Sequence, residues 1–293
     1  MCGIIGYTGK LAAAPVLIEG LKRLEYRGYD SAGLAVVADE HMYQVKSVGK
    51  VAQLEAVAGQ QPELKKLAGC GIAHTRWATH GAPSTLNAHP HLDESGRFAV
   101  VHNGIIENYQ ELRKHLEGKG VHFRSQTDSE VIPHLIAGAY EGDLLSAVAA
   151  ALKQLDGTYG IAVISSLEPG VVVTARKGSP IVIGLGEGEN LVASDIAALL
   201  PYTRQVIYLN DGDIAAITAD KVDLRNIQNV PVEREVAKTD WDAGQAEKGN
   251  YPHFMLKEIF EQPETIENAI RGRIDHEMGT AILNGMNLSP REL

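Results

Sequence analysis

The sequence predicts an α+β fold built in layers. Three observations carry this. Helical periodicity is concentrated before residue 156, the segments after it are short and strand-like, and no helix separates those later strands. Strands so close in sequence pair antiparallel, because a parallel pair needs a crossover of a dozen or more residues.

In chain order, residues 2–7 predict a short buried strand at the start. Leu17, Leu21 and Leu24 repeat at helical spacing within residues 15–24. A glycine-rich loop over 26–33 leads to strands at 34–38 and 42–48, and short helices fill 51–67. Residues 71–77 predict a strand, followed by a polar, histidine-rich loop to His91. Residues 98–102 predict a buried strand that ends at Asn103-Gly104. Helices are predicted at 108–117, 129–140 and 144–155. In the last, Leu144, Ala147, Val148, Ala151, Leu152 and Leu155 form one apolar stripe. Short strands follow at 159–165, 170–176, 181–185, 190–193, 205–209 and 213–218, separated by turn residues. A polar stretch from Thr239 to Asn250 marks a boundary. The predicted organisation is a main domain over 1–240 and a linker segment over 241–293. That segment holds a helix over 254–260, stopped near Pro263, and no strand.

Composition narrows the function. The 293 residues are 44% hydrophobic, enough for a substantial core. A net charge of −10 argues against a sequence-independent grip on nucleic acid. No run approaches the roughly 20 apolar residues of a membrane helix. Met1-Cys2-Gly3-Ile4-Ile5-Gly6 has neither the basic nor the apolar region of a signal peptide, so no membrane partner is expected. Two cysteines exclude a disulfide framework and favour a reducing, cytoplasmic setting.

One of those cysteines stands at position 2. Initiator methionine is commonly trimmed before a small residue, which would leave a thiol and a free α-amine on one residue. An α-amine with an ordinary pKa of about 7.7–8.0 can take the thiol's proton near neutral pH. Alone, an early cysteine is weak evidence, and acylation would be an alternative without any basic or amphipathic support. Its neighbourhood is more telling. Met1-Cys2-Gly3-Ile4-Ile5-Gly6 is followed in order by Arg27-Gly28-Tyr29-Asp30-Ser31-Ala32-Gly33, by His74-Thr75-Arg76-Trp77-Ala78-Thr79-His80-Gly81, and by His102-Asn103-Gly104-Ile105-Ile106-Glu107-Asn108. These four blocks resemble the N-terminal-nucleophile glutamine amidotransferases.

The resemblance implies a four-layer αββα sandwich with two antiparallel sheets. It implies that the substrate is L-glutamine, hydrolysed to glutamate and ammonia through a thioester on Cys2. It assigns Asn103 and Gly104 to an oxyanion hole, a role that suits an amide and a backbone N–H converging on one point. The bland alternative is a hairpin turn, for which Asn-Gly is the commonest pair. Arg76 matches the residue that grips the α-carboxylate through a bidentate fork. Asp128 matches the carboxylate facing the α-ammonium group, although a helix N-cap would also explain it. Trp77, Thr79 and His80 complete the implied substrate site, with Trp77 guarding the exit of ammonia, and Arg27 helps organise the loop around Cys2. The resemblance implies no cofactor and no metal. His74, His80, His89, His91 and His102 lack a defensible zinc spacing and read as ordinary hydrogen-bonded histidines, and Cys70 as a buried strand residue. Gly184-Leu185-Gly186-Glu187-Gly188 reads as a hairpin rather than a dinucleotide loop.

Within the family, Tyr26-Arg27-Gly28-Tyr29-Asp30-Ser31-Ala32-Gly33 resembles the amino-sugar-forming branch. Asparagine synthetases usually carry proline at Tyr29, and the purine enzymes glutamine. The segment from Phe254 to Pro263 is similar to the one that joins the glutaminase half of that branch to its sugar-isomerising half. The expectation is therefore a fragment. Its parent, by resemblance a homo-oligomer, would deliver ammonia to fructose 6-phosphate. Two rivals are another N-terminal-nucleophile amidotransferase or amidohydrolase, and a non-catalytic regulatory module of the same fold.

Overall fold

The computed structural model describes residues 2–65, 68–78, 81–239, 251–270, 274–275 and 280–281. They divide into two units, Met1–Ala243 and Gly244–Leu293. No helix among the described residues is long and apolar enough to cross a membrane.

The first unit runs β1 (Gly3–Ala12), α1 (Ala13–Leu24), β2 (Ser31–Ala38), β3 (His41–Val48), α2 (Val51–Ala58), β4 (Ala68–Arg76), β5 (His91–Leu92) and β6 (Phe98–Ile106). Helices α3 (Tyr109–Glu117), α4 (Val131–Ala139) and α5 (Leu144–Leu152) follow. Strands β7 (Gly157–Ser165), β8 (Val172–Lys177), β9 (Val182–Leu185), β10 (Glu189–Ala193), β11 (Gln205–Tyr208), β12 (Asp213–Ile217), β13 (Val222–Asn226) and β14 (Ala237–Lys238) complete it.

The strands make two sheets, in the orders β14-β11-β9-β10-β1-β4-β2-β3 and β13-β12-β8-β7-β6-β5. The neighbours in both sheets pair antiparallel. The period of two along each strand explains the layering. On β6, Phe98 and Val100 pack with α4 and α5, whereas Ala99 and Val101 pack with residues of the first sheet such as Ile4, Ile72 and Val192. On β7, Ile161 and Val163 take the helix side, and Ala162 and Ile164 the sheet side. On β1, Ile4 faces the other sheet while Ile5 lies against Gly20 of α1. The result is α1 and α2 on one sheet, two sheets face to face, and α3–α5 on the other. This is the four-layer αββα sandwich expected.

The helices are held by ordinary means. Asp143 caps α5 by accepting the Ser146 N–H at 3.0 Å. Leu144, Val148 and Leu152 turn their side chains into the core. Each such side chain contributes roughly 1.5–3 kcal/mol when it leaves water.

Several expectations need correction. Strand β6 does not stop before Asn103-Gly104. It runs on to Ile106, with Asn103 opposite Gly160 and Gly104 opposite Tyr159 of β7. Gly104 has φ +133, and a Cβ there would lie 2.1 Å from the Thr158 carbonyl oxygen, so only glycine fits this place in the strand. The glycine-rich loop is shorter than expected, because β2 already begins at Ser31. Strands β5, β13 and β14 are additional; two of them have only two residues, too short for a periodic signal. The segment 184–188 does join β9 and β10 as a hairpin, and Cys70 is fully buried in β4.

In the second unit, α6 spans Phe254–Ile270 with Pro263 inside it. The expected stop fails although proline removes the N–H that would reach Ile259 and crowds its carbonyl; Ile259 is exposed, on a side of the helix where solvent can take over the lost bond. Two-residue strands β15 (Ile274–Asp275) and β16 (Thr280–Ala281) pair antiparallel, where no strand was expected.

Candidate active site

The site forms where the ends of β1, β4 and β6 meet. Register places it. Gly3 pairs with Thr75 and Ile4 with His74, so the residue before β1 falls beside the end of β4. There the Trp77 N–H donates to Cys2 Sγ at 3.1 Å, and Sγ lies 3.6 Å from the Trp77 carbonyl. Burial pushes the Cys2 thiol above its ordinary pKa, while the Trp77 N–H and the Arg76 charge pull it down. The thiol is therefore neutral at neutral pH and needs a base to become a nucleophile.

The loop before β2 fixes the end of β4. The Asp30 carboxylate accepts the Ala78 N–H at 2.7 Å, and the Asp30 N–H donates to the Arg76 carbonyl at 3.0 Å. Gly28 lets this loop close in, since a Cβ there would sit 2.8 Å from the Arg76 carbonyl carbon. Arg27 forms an ion pair with Asp195, which also accepts from the Tyr26 hydroxyl at 2.8 Å. Trp77 is 46% exposed and stands edge-on to Tyr29, with ring centroids 5.6 Å apart.

From the second sheet, β6 brings Asn103. Its Nδ2 donates to the Cys2 carbonyl at 3.0 Å, and its Oδ1 lies 2.9 Å from His74 Nε2. Arg76 is buried and donates to the carbonyls of Gly81 at 3.0 Å and Ala82 at 3.5 Å. Asp128 is not an N-cap. The N-cap position of α4 is Glu130, and Asp128 Oδ2 instead accepts the Ile106 N–H at 2.8 Å, which ties its loop to the end of β6. Glu130 shapes that loop by accepting the N–H groups of Arg124 at 2.7 Å and Ser125 at 2.6 Å.

One cavity of about 350 Å³ collects these groups. Its wall carries Cys2, Arg27, Arg76, Trp77, Asn103, Gly104 and Asp128. Thr79 and His80 lie outside the described residues. A larger cavity of about 800 Å³ between α3, α4 and the β5–β6 turn contains neither cysteine and stands apart from this chemistry. The small cavity offers a thiol, amide donors, one buried cation and one buried carboxylate. That set suits a zwitterionic substrate with a carbonyl to be attacked.

The histidines converge behind it. His74 stacks on His89 at 4.2 Å, and His89 meets His91 edge-on at 4.5 Å. The His102 N–H donates to His89 Nδ1 at 3.2 Å, and His102 Nδ1 lies 2.8 Å from Ser129 Oγ. His91 Nε2 lies 3.0 Å from Thr127 Oγ1. They are hydrogen-bonded, as expected. Burial pushes the His74 pKa down to about 3 and those of His89 and His91 well below the ordinary value. Among the described residues no group of three or more histidine, cysteine or acidic side chains is placed to hold a metal ion.

Comparison with known proteins places this geometry. A family model described as a glutamine amidotransferase domain matches residues 74–201. A glutamine–fructose-6-phosphate aminotransferase (isomerizing) of Symbiobacterium thermophilum is 55% identical over 100% of this chain and 48% of its own length. The chain belongs to the glutamine amidotransferase family. A protein of the same name from Thermus thermophilus is 52% identical, again over 100% of the chain and 48% of the relative. The amidotransferase chain thus spans about half the length of these curated relatives. A solved structure described as the allosteric regulatory enzyme of purine biosynthesis has a TM-score of 0.66 at 26% identity, over 78% of this chain and 50% of its own. The glutamine phosphoribosylpyrophosphate amidotransferase of B. subtilis, at 24% identity over 77% of this chain and 49% of its own, shares the fold with a TM-score of 0.66.

Sequence reasoning missed several residues that shape this amidotransferase's site. Asp30 was visible inside a motif but had no role until its contact with Ala78 was seen. Ser129 and Glu130 had no signal beyond standing next to Asp128. His74 and His102 were in view as histidines. Only the approach of β6 to β4 shows that His74 bonds Asn103.

Proposed function

We propose that the chain is a glutaminase that hydrolyses the side-chain amide of L-glutamine through a thioester on Cys2. The observation that carries this is the convergence of Cys2 Sγ, the Asn103 amide, Arg76 and Asp128 on one cavity of about 350 Å³. Removal of Met1 frees the Cys2 α-amine, which takes the thiol proton. Sγ attacks the amide carbon, and the negative charge moves to oxygen beside Asn103 Nδ2 and Gly104. The intermediate collapses, the C–N bond breaks, and the amine's proton leaves with the nitrogen as ammonia. Water then attacks the thioester, releasing glutamate and restoring the thiol.

Arg76 and Asp128 hold the two charges of the substrate's α-carbon. Arg76 binds the carboxylate and Asp128 the ammonium group. Trp77, half exposed at the rim, lies where ammonia leaves. Residues 1–240 carry this activity, and 241–293 lead toward further domains of a longer parent. In that parent the ammonia converts fructose 6-phosphate to glucosamine 6-phosphate. The names of relatives 52–55% identical along the whole chain support this, together with its coverage of 48% of their length.

The test is glutamine hydrolysis by the chain, followed by substitution of the two charged residues. Arg76→Lys loses the bidentate fork, and Asp128→Asn loses its charge toward the ammonium group. Both should raise KM for glutamine by about ten-fold or more, the effect of one lost charge-assisted hydrogen bond of roughly 1.5–3 kcal/mol. Calorimetry should show the same loss in affinity. Normal glutamine binding by both folded variants would contradict the pocket assignment.

A further inference from the structure

We propose that His74, as a neutral imidazole protonated on Nε2, is the positioning residue that holds the Asn103 amide in the orientation needed to stabilise the oxyanion. This rests on the glutaminase reading above, because it requires Asn103 to act as a donor.

The proton positions follow from elimination. The Cys2 carbonyl can only accept, so the Asn103 atom 3.0 Å from it is the nitrogen. The amide oxygen therefore faces His74 Nε2 at 2.9 Å. That oxygen can only accept as well, so His74 Nε2 carries the hydrogen. The other ring nitrogen, Nδ1, is buried and makes no hydrogen bond of good geometry, although the ring also feels the backbone of His102. Burial accordingly drives the ring toward its neutral form, with a pKa near 3.

The ring itself is braced. His74 is 1% exposed in the middle of the first sheet, paired with Ile4 on one side and Gly33 on the other. His89 covers its face at 4.2 Å with an interplanar angle of 18°, and His89 is anchored in turn by the His102 N–H. A rotamer locked by packing can fix the amide it bonds to. Without this bond the Asn103 amide keeps only its contact with the Cys2 carbonyl. It is then free to swing its second N–H away from the reacting oxygen.

The kinetic test uses His74→Phe, which keeps a ring without a donor, and His74→Gln, whose amide nitrogen can replace Nε2–H. His74→Phe should lower kcat for glutamine by on the order of 10–100-fold, with KM unchanged within about two-fold. His74→Gln should recover most of the loss. In an Asn103→Ala background, His74→Phe should cause no further drop in kcat, because the group it positions is gone. An undiminished further drop, or a loss carried by KM, would overturn the assignment. A second measurement needs no variant. In wild-type protein labelled with [15N]histidine, NMR should show Nε2 protonated and Nδ1 bare between about pH 5 and 9. The opposite tautomer or an imidazolium in an active chain would overturn the role of His74 alone. A folded wild-type chain that hydrolyses no glutamine would overturn the glutaminase reading instead.

Discussion

Cys2→Ala should abolish glutamine hydrolysis, with a loss of at least about 10⁴-fold in kcat, the scale seen when a nucleophile is removed from a covalent mechanism. The fold should survive. Cys2 precedes the sheet rather than lying in it, and the hydrogen bonds of its thiol among the described residues are with the backbone of Trp77. No other thiol can substitute. Cys70 is fully buried among apolar residues between the sheets, and burial pushes its pKa up to about 11. Cys70→Ala should therefore keep near-normal activity. Steady-state assays with a matched thermal-unfolding check decide the point. Near-normal turnover by folded Cys2→Ala would remove the nucleophile from the proposal, and an equal loss in Cys70→Ala would point to a two-thiol mechanism.

Asn103→Ala should lower kcat by roughly 10²–10³ while KM for glutamine stays nearly constant. A donor that matters only when charge develops on the amide oxygen contributes to the transition state and not to substrate binding. Asn103→Asp is the sharper variant. It keeps the acceptor that faces His74 and fits the same space, yet it places negative charge beside the forming oxyanion. It should be at least as impaired as Asn103→Ala. The competing idea of a simple Asn-Gly turn is already weakened, because both residues lie inside β6 and pair with Gly160 and Tyr159. Wild-type kcat in folded Asn103→Asp would refute the oxyanion assignment.

How far these features were legible depended on the range of the forces that create them. Strands with continuous apolar runs, such as β6 and β7, announce themselves because each buries two faces. The layered α+β architecture followed from their spacing. The end of β6 did not. Asn-Gly is a local turn signal, and it was overruled by pairing with β7, some 50 residues away in sequence. Gly104 allows this, because at its φ of +133 a Cβ would lie 2.1 Å from the Thr158 carbonyl oxygen across the pair. The same limit applied to Asp128. Its place before a helix suggested a cap, but the carboxylate found the Ile106 N–H across the fold. Pro263 is the reverse case. A strong local breaker was tolerated because the carbonyl it leaves without a partner belongs to an exposed residue.

The candidate site shows the same division. Cys2, Arg76, Asn103 and Asp128 could be named from motifs, because each carries a chemical group the reaction needs. The residues that aim those groups could not. His74, His89 and His102 come from β4, from the loop before β5 and from β6. Nothing local in the sequence says that the His74 ring bonds Asn103, that His89 stacks on that ring, or that the His102 backbone N–H anchors His89. Positioning is a property of tertiary contact and becomes visible only with the register of the strands.

The central claim is that glutamine is carried on Cys2 as a thioester. The most direct measurement is mass spectrometry of the chain mixed with glutamine, quenched in acid during turnover, and digested. The proposal predicts a peptide that begins at Cys2, lacks Met1 and carries a γ-glutamyl group on the cysteine sulfur. A γ-glutamyl group on Cys70, or an active chain that retains Met1, would contradict it.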